Sequence, residues 1–549
     1  MRALVHQMVP GAGGDLATDV YLPPGAGPFP VVLQRTPYHR RVLETLAPTF
    51  VQAGYAYVVQ DCRGKWDSGG QFTPLVHEAE DGLTTLDWVA NQSWCNGRIG
   101  MWGRSYHGIV QIPAAISQHE ALGCIAPSVA PGSFFRDWLR YDGCFALGNA
   151  VRWGLTHATC RTQPAMAHFC WDELNQLDGV EAIARRAGFA TPCLADWVGH
   201  DTYDEYWATL DQDTMYSRVT VPGLHAGGWF DHLTRTQYEA YRAISEAGAT
   251  PAARSGQRML IGPWGHQTMS NLGAEHTHYG DWAFGEDANL DVLKYEMRFL
   301  NLHLRDIDDG LSDEPRVRVF LMGENRWVSL DDWPATSTQT HAWHLDGEDH
   351  SSCGLRPDGS GAVGARSYTY DPRDPVPTLG GAVYWGLEQR GPVDQRSSIQ
   401  RADVLTYRSD PLDAPVTVIG NLELDLHIVC DRQDTDIVAR LCVEEASGAV
   451  ICLTLGSLRC RFRDSWSDPS ALEPDTPTQL TIQLGQTAYT FAAGSRIVLT
   501  VTSSDFPRIL PHPNHMAPLF EGEPVIAHTQ ILHGREHASH LRLPVVEGV

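Results

Sequence analysis

One short stretch near residue 100 constrains the fold more than any other, because the chain there turns sharply from a strand into a helix. Residues 98–102 are typical of a short buried strand, and a helix is predicted after the turn. Ser105 lies at the tip of the turn, two residues after Gly103 and three residues before Gly108. A strained strand–turn–helix connection with a serine at its apex is typical of a nucleophile elbow. His107 stands where the simplest pattern has glycine, so a glycine-rich turn with an incidental serine is the alternative.

Segments on both sides of this turn alternate between strands and helices. Residues 78–91 predict an amphipathic helix with Leu83, Leu86 and Ala90 on its apolar face. The strand-like segments include short continuous apolar runs, which suit parallel strands that are buried on both faces. Strands that alternate with helices indicate a parallel sheet covered by helices. The predicted strands are residues 19–22, 30–34, 55–60, 98–102 and 124–129.

The character of the chain then changes, and these changes predict its domain organisation. Residues 134–219 are rich in Trp, Ala and Arg and predict a helical insertion, after which strands resume at 220–225 and 259–262. Beyond residue 310, alternating segments separated by turns predict a sandwich or jelly roll. We therefore predict an α/β core in two parts (1–125 and 221–312), a helical cap (126–220) and a β domain (313–549).

The composition limits the partners that this chain can have. A formal charge of −25 over 549 residues repels polyphosphate, so nucleic acid and an anionic membrane are not expected. The twelve cysteines are scattered without a C-x-x-C pair, which favours free thiols in a reducing compartment. The first residues lack the apolar run of a signal peptide, and no apolar stretch is long enough to span a membrane. We expect a cytoplasmic protein and allow for a homo-oligomer.

Two further residues stand at strand ends in the order that a catalytic triad requires. A serine hydroxyl needs a base within hydrogen-bond reach, and that base needs a carboxylate to orient it. Asp231 and His266 each follow a predicted strand, so the chain offers Ser105, Asp231 and His266 in the order Ser, Asp, His. An aspartate there also suits a helix N-cap, and one of 24 histidines after a strand is unremarkable. The shared order and placement of all three favour a triad.

An acyl-transfer site also needs donors for the oxyanion. The backbone N–H of Tyr106, directly after the serine, is one candidate. No H-G-G-G loop is present to supply the second donor. Tyr38 follows an early strand and carries a hydroxyl, although its spacing alone favours an ordinary loop tyrosine.

The motifs that contain these residues resemble those of the cocaine-esterase and X-prolyl dipeptidyl-peptidase family of serine hydrolases, also called the CocE/NonD family. This family includes α-amino-acid ester hydrolases and glutaryl-7-ACA acylases, and its elbow reads G-x-S-Y-x-G, so His107 fits. The resemblance covers nearly the whole chain in order. The motifs are RTPY (35–38), QDCRG (60–64) with SGG (68–70), GRSYHG (103–108), GWFD (228–231), GPWGH (262–266), MGENRW (322–327), SDPL (409–412), DTD (434–436) and SSDFP (503–507).

The resemblance implies an α/β-hydrolase core with an inserted helical cap and a C-terminal β jelly-roll domain. It implies that Ser105 is the nucleophile, His266 the base and Asp231 the residue that orients the base. It also implies that the Tyr38 hydroxyl joins the Tyr106 N–H as an oxyanion donor. The implied activity is cleavage of a small-molecule ester or amide through an acyl-enzyme, without a metal or other cofactor.

Three alternatives remain open. The nearest is an X-Pro dipeptidyl aminopeptidase or an α-amino-acid ester hydrolase, and both require a free α-amino group. Residues 232–234 offer no carboxylate for an ammonium, and the cap acids Asp201, Asp204 and Glu205 suit the surface, so we expect neutral acyl esters to be cleaved at least as well. The second is a carbohydrate-binding protein with an idle triad. The third is metal-dependent hydrolysis through the pairs His341/His344 or His276/His278, which we predict to be surface histidines.

Overall fold

The computed structural model describes residues 1–158, 179, 182, 192–270, 275–347, 354–357, 363–383 and 389–548. Within these ranges the strands are β1 (Arg2–Val9), β2 (Leu16–Leu22), β3 (Phe29–Thr36), β4 (Ala56–Asp61), β5 (Cys95–Arg104), β6 (Leu122–Ser128), β7 (Arg140–Tyr141), β8 (Cys144–Phe145), β9 (Leu224–Phe230), β10 (Arg258–Gly265), β11 (His278–Tyr279), β12 (Trp282–Ala283), β13 (Val317–Leu321), β14 (Arg326–Leu330), β15 (Gln339–Asp346), β16 (Gly354–Arg356), β17 (Gly364–Tyr370), β18 (Leu405–Arg408), β19 (Val416–Cys430), β20 (Asp436–Glu444), β21 (Val450–Arg459), β22 (Thr478–Phe491), β23 (Arg496–Thr502), β24 (Ala527–His533) and β25 (His540–Val545).

The helices lie mainly in the first 310 residues. The α-helices are Ala47–Gln52, Glu78–Ala90, Tyr106–Ile109, Gln111–Ala115, Leu147–Trp153, Pro192–Gly199, Glu205–Leu210, Arg235–Ala247, Pro251–Ser255, His266–Ser270 and Val292–Arg305. Shorter 3-10 helices are Arg40–Leu46, Gln212–Arg218, Glu286–Ala288, Leu311–Asp313 and Cys460–Phe462, and Gly154–Ala158 is a π-helical turn. Among the described helices, none combines the length and the apolar character that a membrane span requires.

The N-terminal sheet has ten strands in the order β1-β2-β4-β3-β5-β6-β9-β10-β13-β14. The strands from β4 to β13 are parallel, while β1, β2 and β14 pair antiparallel at the two edges. Parallel strands joined through helices form the predicted α/β-hydrolase core, which is confirmed. Their carboxyl ends meet at one edge of the sheet, where open α/β sheets place their sites.

Successive residues of the central strands alternate between two apolar layers. Val31 and Leu33 face the layer that contains the helix Glu78–Ala90, whereas Val32 between them faces the layer that contains Val292–Arg305. All three side chains are fully buried, and each such burial stabilises the fold by roughly 1.5–3 kcal/mol. The period of two therefore fixes the register of the strands against both helix layers.

The predicted apolar face of the second helix is partly wrong. Leu83 is exposed, and the helix instead buries Gly82, Leu86 and Val89. The reason is that this helix closely approaches the helix Gln111–Ala115. A Cβ at Gly82 would lie 3.0 Å from the Cβ of Ala114. The smallest residue therefore takes the contact position, and Leu83 is turned toward solvent.

The C-terminal half is β-rich, as predicted. Its eleven-stranded sheet follows the order β17-β24-β19-β25-β15-β16-β18-β23-β20-β21, with β22 paired to β19. The pairs are antiparallel except β16 with β18. The finer expectation of a jelly roll stays a prediction, as do the domain boundaries.

Met322 joins the two large sheets. Its N–H donates to the carbonyl of Ala488 (3.0 Å) and its carbonyl accepts from the N–H of Thr490 (2.9 Å). The next residue, Gly323, has a φ of +87°, and a Cβ there would collide with the Thr490 carbonyl. The motif at 322–327 thus connects the ten-stranded sheet to β22 of the eleven-stranded sheet.

Another motif of the β domain holds a short helix of the predicted cap. Gly148, in the helix Leu147–Trp153, donates its N–H to the carbonyl of Pro507 (2.9 Å). Asp505 of the same SSDFP motif is buried and pairs with Arg440 (2.7 Å). This anchor matters for the site, because the helix ends at Trp153. Most of the residues between 159 and 191 in the predicted cap lie outside the described part of the chain.

Candidate active site

Ser105 occupies a strained turn between β5 and the helix Tyr106–Ile109. Its φ is +59° and its ψ is −128°, a conformation that L-residues rarely adopt. Gly103, with a φ of +147°, leaves no space for a Cβ, which would collide with the Cβ of His107. A Cβ at Gly108 would lie 2.9 Å from the Cβ of Ala130. The two flanking glycines are therefore required by close packing, and the turn has the conformation of a nucleophile elbow.

The sheet order brings the three predicted triad residues to one edge. Ser105 follows β5, Asp231 follows β9 and His266 follows β10, and these strands lie within four consecutive positions of the sheet. Two close contacts shape the last two turns. A Cβ at Gly228 would collide with the carbonyl of Trp264, and a Cβ at Gly265 would collide with the hydroxyl of Tyr279.

The side chains of Ser105, His266 and Asp231 form a continuous hydrogen-bonded row. His266 Nε2 lies 3.1 Å from Ser105 Oγ, and His266 Nδ1 lies 2.7 Å from Asp231 Oδ2. Asp231 and His266 are buried, and Ser105 is half-buried. Because an ionised carboxylate only accepts, Nδ1 carries the proton and Nε2 is free to accept the hydroxyl proton of Ser105.

Asp231 stays ionised in this setting. Burial alone would raise the pKa of its carboxyl, but the attraction and the hydrogen bond of His266 hold the pKa below its ordinary value. Asp231 Oδ1 also accepts the N–H of Leu233 at 2.7 Å, which fixes the carboxylate plane. This turn contact is not the helix N-cap considered as an alternative, because the next helix, Arg235–Ala247, has Thr234 as its N-cap residue and no side-chain cap.

The Tyr38 hydroxyl lies against the elbow. It interacts with the side chain of Ser105 and the backbone of Tyr106, and its oxygen accepts a hydrogen bond from Trp153 Nε1 (3.1 Å). Burial raises the pKa of Tyr38, so the hydroxyl keeps its proton at neutral pH. The Tyr38 hydroxyl and the Tyr106 backbone therefore both lie beside Ser105, and their role as oxyanion donors stays a prediction.

The side chain of Tyr106 is held away from the reacting centre. Its hydroxyl donates to Glu78 Oε1 (2.8 Å) and accepts from the N–H of Leu75 (2.9 Å). Its ring stacks on Trp153 with centroids 5.5 Å apart and planes 6° from parallel. Glu78 is paired in turn with Arg35 of the RTPY motif at 2.8 Å. Tyr106 is therefore a rigid anchor that offers only its backbone to the site.

His107 connects the elbow to the loop that carries Tyr38. Its Nδ1 lies 3.0 Å from Gln34 Nε2, and its Nε2 lies 2.7 Å from Thr36 Oγ1. Since the Gln34 amide nitrogen is a donor, Nδ1 accepts and Nε2 donates to Thr36. Thr36 Oγ1 also accepts the backbone N–H of Tyr38 at 2.9 Å. Burial lowers the pKa of His107 to about 3, so the ring is uncharged at neutral pH.

Two buried residues near the triad had no role in the sequence prediction. His232 packs its ring 4.8 Å from the ring of His266, and burial lowers its pKa to about 3. Asp137 Oδ2 accepts the N–H and the hydroxyl of Thr236, both at 2.9 Å, and burial raises the pKa of Asp137 to about 7. A cavity of about 50 Å³ lies beside them, large enough for one or two waters. His232 could have been noticed from its place next to Asp231, whereas nothing marked Asp137 among the many acids.

The histidines considered as metal ligands differ in their exposure to solvent. His341 and His278 are exposed, as predicted, but His276 is buried against Trp264, with ring centroids 5.3 Å apart. The prediction of a surface histidine is therefore wrong at His276, because the chain folds back over the Trp264 indole.

The acids of the predicted cap lie at the surface, as expected: Asp204 and Glu205 are exposed, and Asp201 is partly exposed. Across the described ranges, three metal-ligating side chains come together only at Asp231, His232 and His266.

The comparisons with known proteins cover both halves of the chain. Residues 12–268 match the family described as X-Pro dipeptidyl-peptidase (S15 family), and residues 309–542 match the X-Pro dipeptidyl-peptidase C-terminal non-catalytic domain. Cocaine esterase from a Rhodococcus species is 32% identical, and the match covers 98% of each chain.

Two solved structures share the fold over nearly the full length. A structure named α-amino acid ester hydrolase is 26% identical, with a TM-score of 0.84 over 99% of this chain and 96% of that one. An aminopeptidase from a marine-sediment thaumarchaeon has a TM-score of 0.85 over 98% and 96% of the two chains. At 24% identity, this second likeness concerns the fold alone.

Proposed function

This chain belongs to the cocaine-esterase and X-Pro dipeptidyl-peptidase family of serine hydrolases, and we propose that it cleaves a carboxylic ester or amide through an acyl-enzyme on Ser105. The observation that carries the proposal is the row of Ser105 Oγ, His266 and Asp231, with gaps of 3.1 and 2.7 Å. These are the separations that proton transfer between nucleophile and base needs.

The first step is acylation. His266 Nε2 takes the hydroxyl proton of Ser105 as Oγ attacks the substrate carbonyl, and the ionised Asp231 stabilises the imidazolium that forms. The imidazolium then gives its proton to the leaving alcohol or amine as the carbonyl re-forms. The strained backbone at Ser105 exposes Oγ at the sheet edge, which lets a substrate carbonyl approach it.

The charge that develops on the carbonyl oxygen is met by two donors. We assign these to the Tyr38 hydroxyl and the Tyr106 N–H, since both lie next to Ser105. A donor fixed before the reaction costs no reorganisation when the oxyanion forms, so its contribution falls mainly on kcat. Water then attacks the acyl-enzyme, with His266 again acting as base, and the acid is released.

The substrate preference that the site favours is a neutral acyl group. The segment after Asp231 contributes His232, Leu233 and Thr234, all buried and none of them an acid. Besides Asp231, Asp137 is the acid that lines the cavity, but it accepts hydrogen bonds from Thr236, and its raised pKa weakens it as a partner for an ammonium. A buried ammonium without a paired anion is costly. We therefore place an X-Pro dipeptidyl aminopeptidase or an α-amino-acid ester hydrolase second.

A matched pair of substrates decides between these two. The purified protein is given p-nitrophenyl esters that differ only in an α-amino group, together with a Gly-Pro anilide. We expect the neutral ester to be cleaved at least as fast as its amino counterpart. A preference of about a hundredfold for the amine, roughly 2.7 kcal/mol in transition-state binding, would support the second candidate instead.

We further propose the four-segment division at 1–125, 126–220, 221–312 and 313–549, in which the second segment caps the site. The first two strands of the last segment, β13 and β14, complete the edge of the core sheet. We also propose a cytoplasmic location, which the cysteines support. All nine cysteines in the described ranges are free thiols, and eight of them are buried. A reducing compartment keeps such thiols free.

A further inference from the structure

We infer that the buried group formed by Asp231, His232 and His266 is an inhibitory site for a divalent transition metal, with Zn²⁺ as the expected ion. Each of the three side chains offers one ligand atom, and these atoms all lie within 4.8 Å of one another. Two imidazoles and one carboxylate are a common protein ligand set for zinc. The site goes beyond the proposed hydrolysis, because it concerns how the activity is switched off.

The geometry needs only a small adjustment to hold the ion. Zinc binds imidazole nitrogen and carboxylate oxygen at about 2.0–2.2 Å, so two ligands of a tetrahedral site lie about 3.3 Å apart. Ligand atoms that start within 4.8 Å of one another have to approach each other by at most about 1.5 Å. His266 Nδ1 and Asp231 Oδ2 are already 2.7 Å apart, so the main changes are a small separation of these two atoms and an inward movement of His232.

His232 supplies what the triad alone lacks. Asp231 and His266 provide two ligands, which is too few to hold zinc, and Ser105 is a neutral hydroxyl. His232 follows Asp231 directly in the chain, and its ring tilts by 60° against the ring of His266. The two imidazoles and the carboxylate thus lie together beside Ser105.

Binding of the ion would stop the proposed reaction, whichever ring nitrogen of His266 is used. Ligation through Nε2 occupies the lone pair that must accept the Ser105 proton. Ligation through Nδ1 replaces the proton shared with Asp231 Oδ2, and that proton leaves to solvent. Substrate turnover stops in either case. This consequence rests on the proposed role of His266, whereas binding of the ion does not.

The first experiment measures turnover against free Zn²⁺ in a zinc-buffered solution. The wild-type protein should lose its activity completely, with recovery when EDTA is added. His232→Asn should need at least about tenfold more free zinc for the same inhibition, since the loss of a neighbour that merely orients a ligand already costs ten- to a hundredfold. His341→Asn, which alters an exposed histidine, is the matched control and should behave as the wild type. Equal inhibition of the wild type and His232→Asn would overturn the inference, as would an unaffected wild type.

The second experiment keeps the inference separate from the catalytic proposal. Zinc binding to Ser105→Ala is measured by competition with a chromophoric chelator, which needs no activity. One ion should bind per chain, and the added change His232→Asn should remove it. If the His232→Asn protein does not fold, His232→Gln takes its place. An unchanged stoichiometry and affinity in the folded double variant would refute the site even if the enzyme hydrolyses esters as proposed.

Discussion

Trp153 donates a hydrogen bond from its indole nitrogen to the hydroxyl oxygen of Tyr38, over 3.1 Å. The indole N–H is a donor only, so the tyrosine oxygen must accept, and the tyrosine proton is left to point elsewhere. Ser105 and the backbone of Tyr106 also interact with that hydroxyl. We therefore expect Trp153 to leave the proton of Tyr38 available to an oxyanion beside Ser105.

Removal of the Tyr38 hydroxyl should slow catalysis without weakening substrate binding. Tyr38→Phe is expected to lower kcat by roughly 10²–10³ with little change in KM, because an oxyanion donor acts mainly on the transition state. Trp153→Phe should lower kcat by a smaller factor, since it leaves the donor in place and removes only its orientation. Steady-state kinetics on one ester substrate measure both variants. An unchanged kcat in Tyr38→Phe would make this residue an ordinary loop tyrosine.

A second positioning contact can be tested at His107. Its Nε2–H donates to Thr36 Oγ1, which also accepts the N–H of Tyr38, so His107 fixes the loop that carries the tyrosine. His107→Leu should lower kcat several-fold to tenfold with little change in KM, and His107→Gln should recover part of the loss through its amide. Because the pKa of His107 is lowered to about 3, neither variant should change the shape of the pH–rate profile between pH 5 and 8. A loss that appears in KM, or no benefit of Gln over Leu, would contradict the positioning role.

The buried histidines should make the fold less stable in acid. Burial lowers the pKa of His225 to about 4, whereas an unfolded histidine has a pKa near 6.5. Between these values the unfolded chain binds a proton that the folded chain does not, so stability falls as the pH falls. Each such group contributes up to about 1.4 kcal/mol per pH unit. His107, His157 and His232 act in the same direction, while Asp137 and Asp211, with pKa values raised to about 7, oppose them.

This effect is measured by urea unfolding between pH 4 and 7. His225→Gln can keep a hydrogen bond to Gln257, which lies 2.9 Å from the histidine Nε2, and it should flatten the dependence of the midpoint on pH. His341→Gln, at an exposed position, is the control and should leave the dependence unchanged. A His225→Gln protein with the wild-type slope would show that this histidine takes up no proton on unfolding.

Much of the fold and the site follows from local sequence patterns. The turn around Ser105 is identifiable because glycine is needed on both sides of it, and Asp231 and His266 are identifiable because both stand at the ends of short apolar strands. Parallel strands place their carboxyl ends side by side, so residues 126 positions apart can be assigned to one site without a structure. The short apolar runs of the central strands are likewise visible in the sequence, and they predict strands that are buried on both faces.

What the sequence does not reveal depends on contacts between distant segments. Leu83 has the spacing of a buried residue, but the close approach of Ala114 makes Gly82 the contact. The bond from Trp153 to Tyr38 spans 115 positions, and the bond from His107 to Thr36 spans 71. No local period encodes such pairs, since they arise only when segments far apart in the sequence come together. The burial of His276 against Trp264 has the same origin.

The central claim is that Ser105 forms a covalent acyl-enzyme, and labelling by a fluorophosphonate tests it most directly. The probe is added to the wild type, to Ser105→Ala and to the matched control Ser128→Ala, and the modified peptide is identified by mass spectrometry. Ser128 is a buried serine whose hydroxyl binds Glu296 at 2.9 Å, so it should not react. We predict one label per chain on Ser105 in the wild type and in Ser128→Ala, and neither label nor turnover in a folded Ser105→Ala protein. A label on another residue, or an active Ser105→Ala protein, would contradict the account.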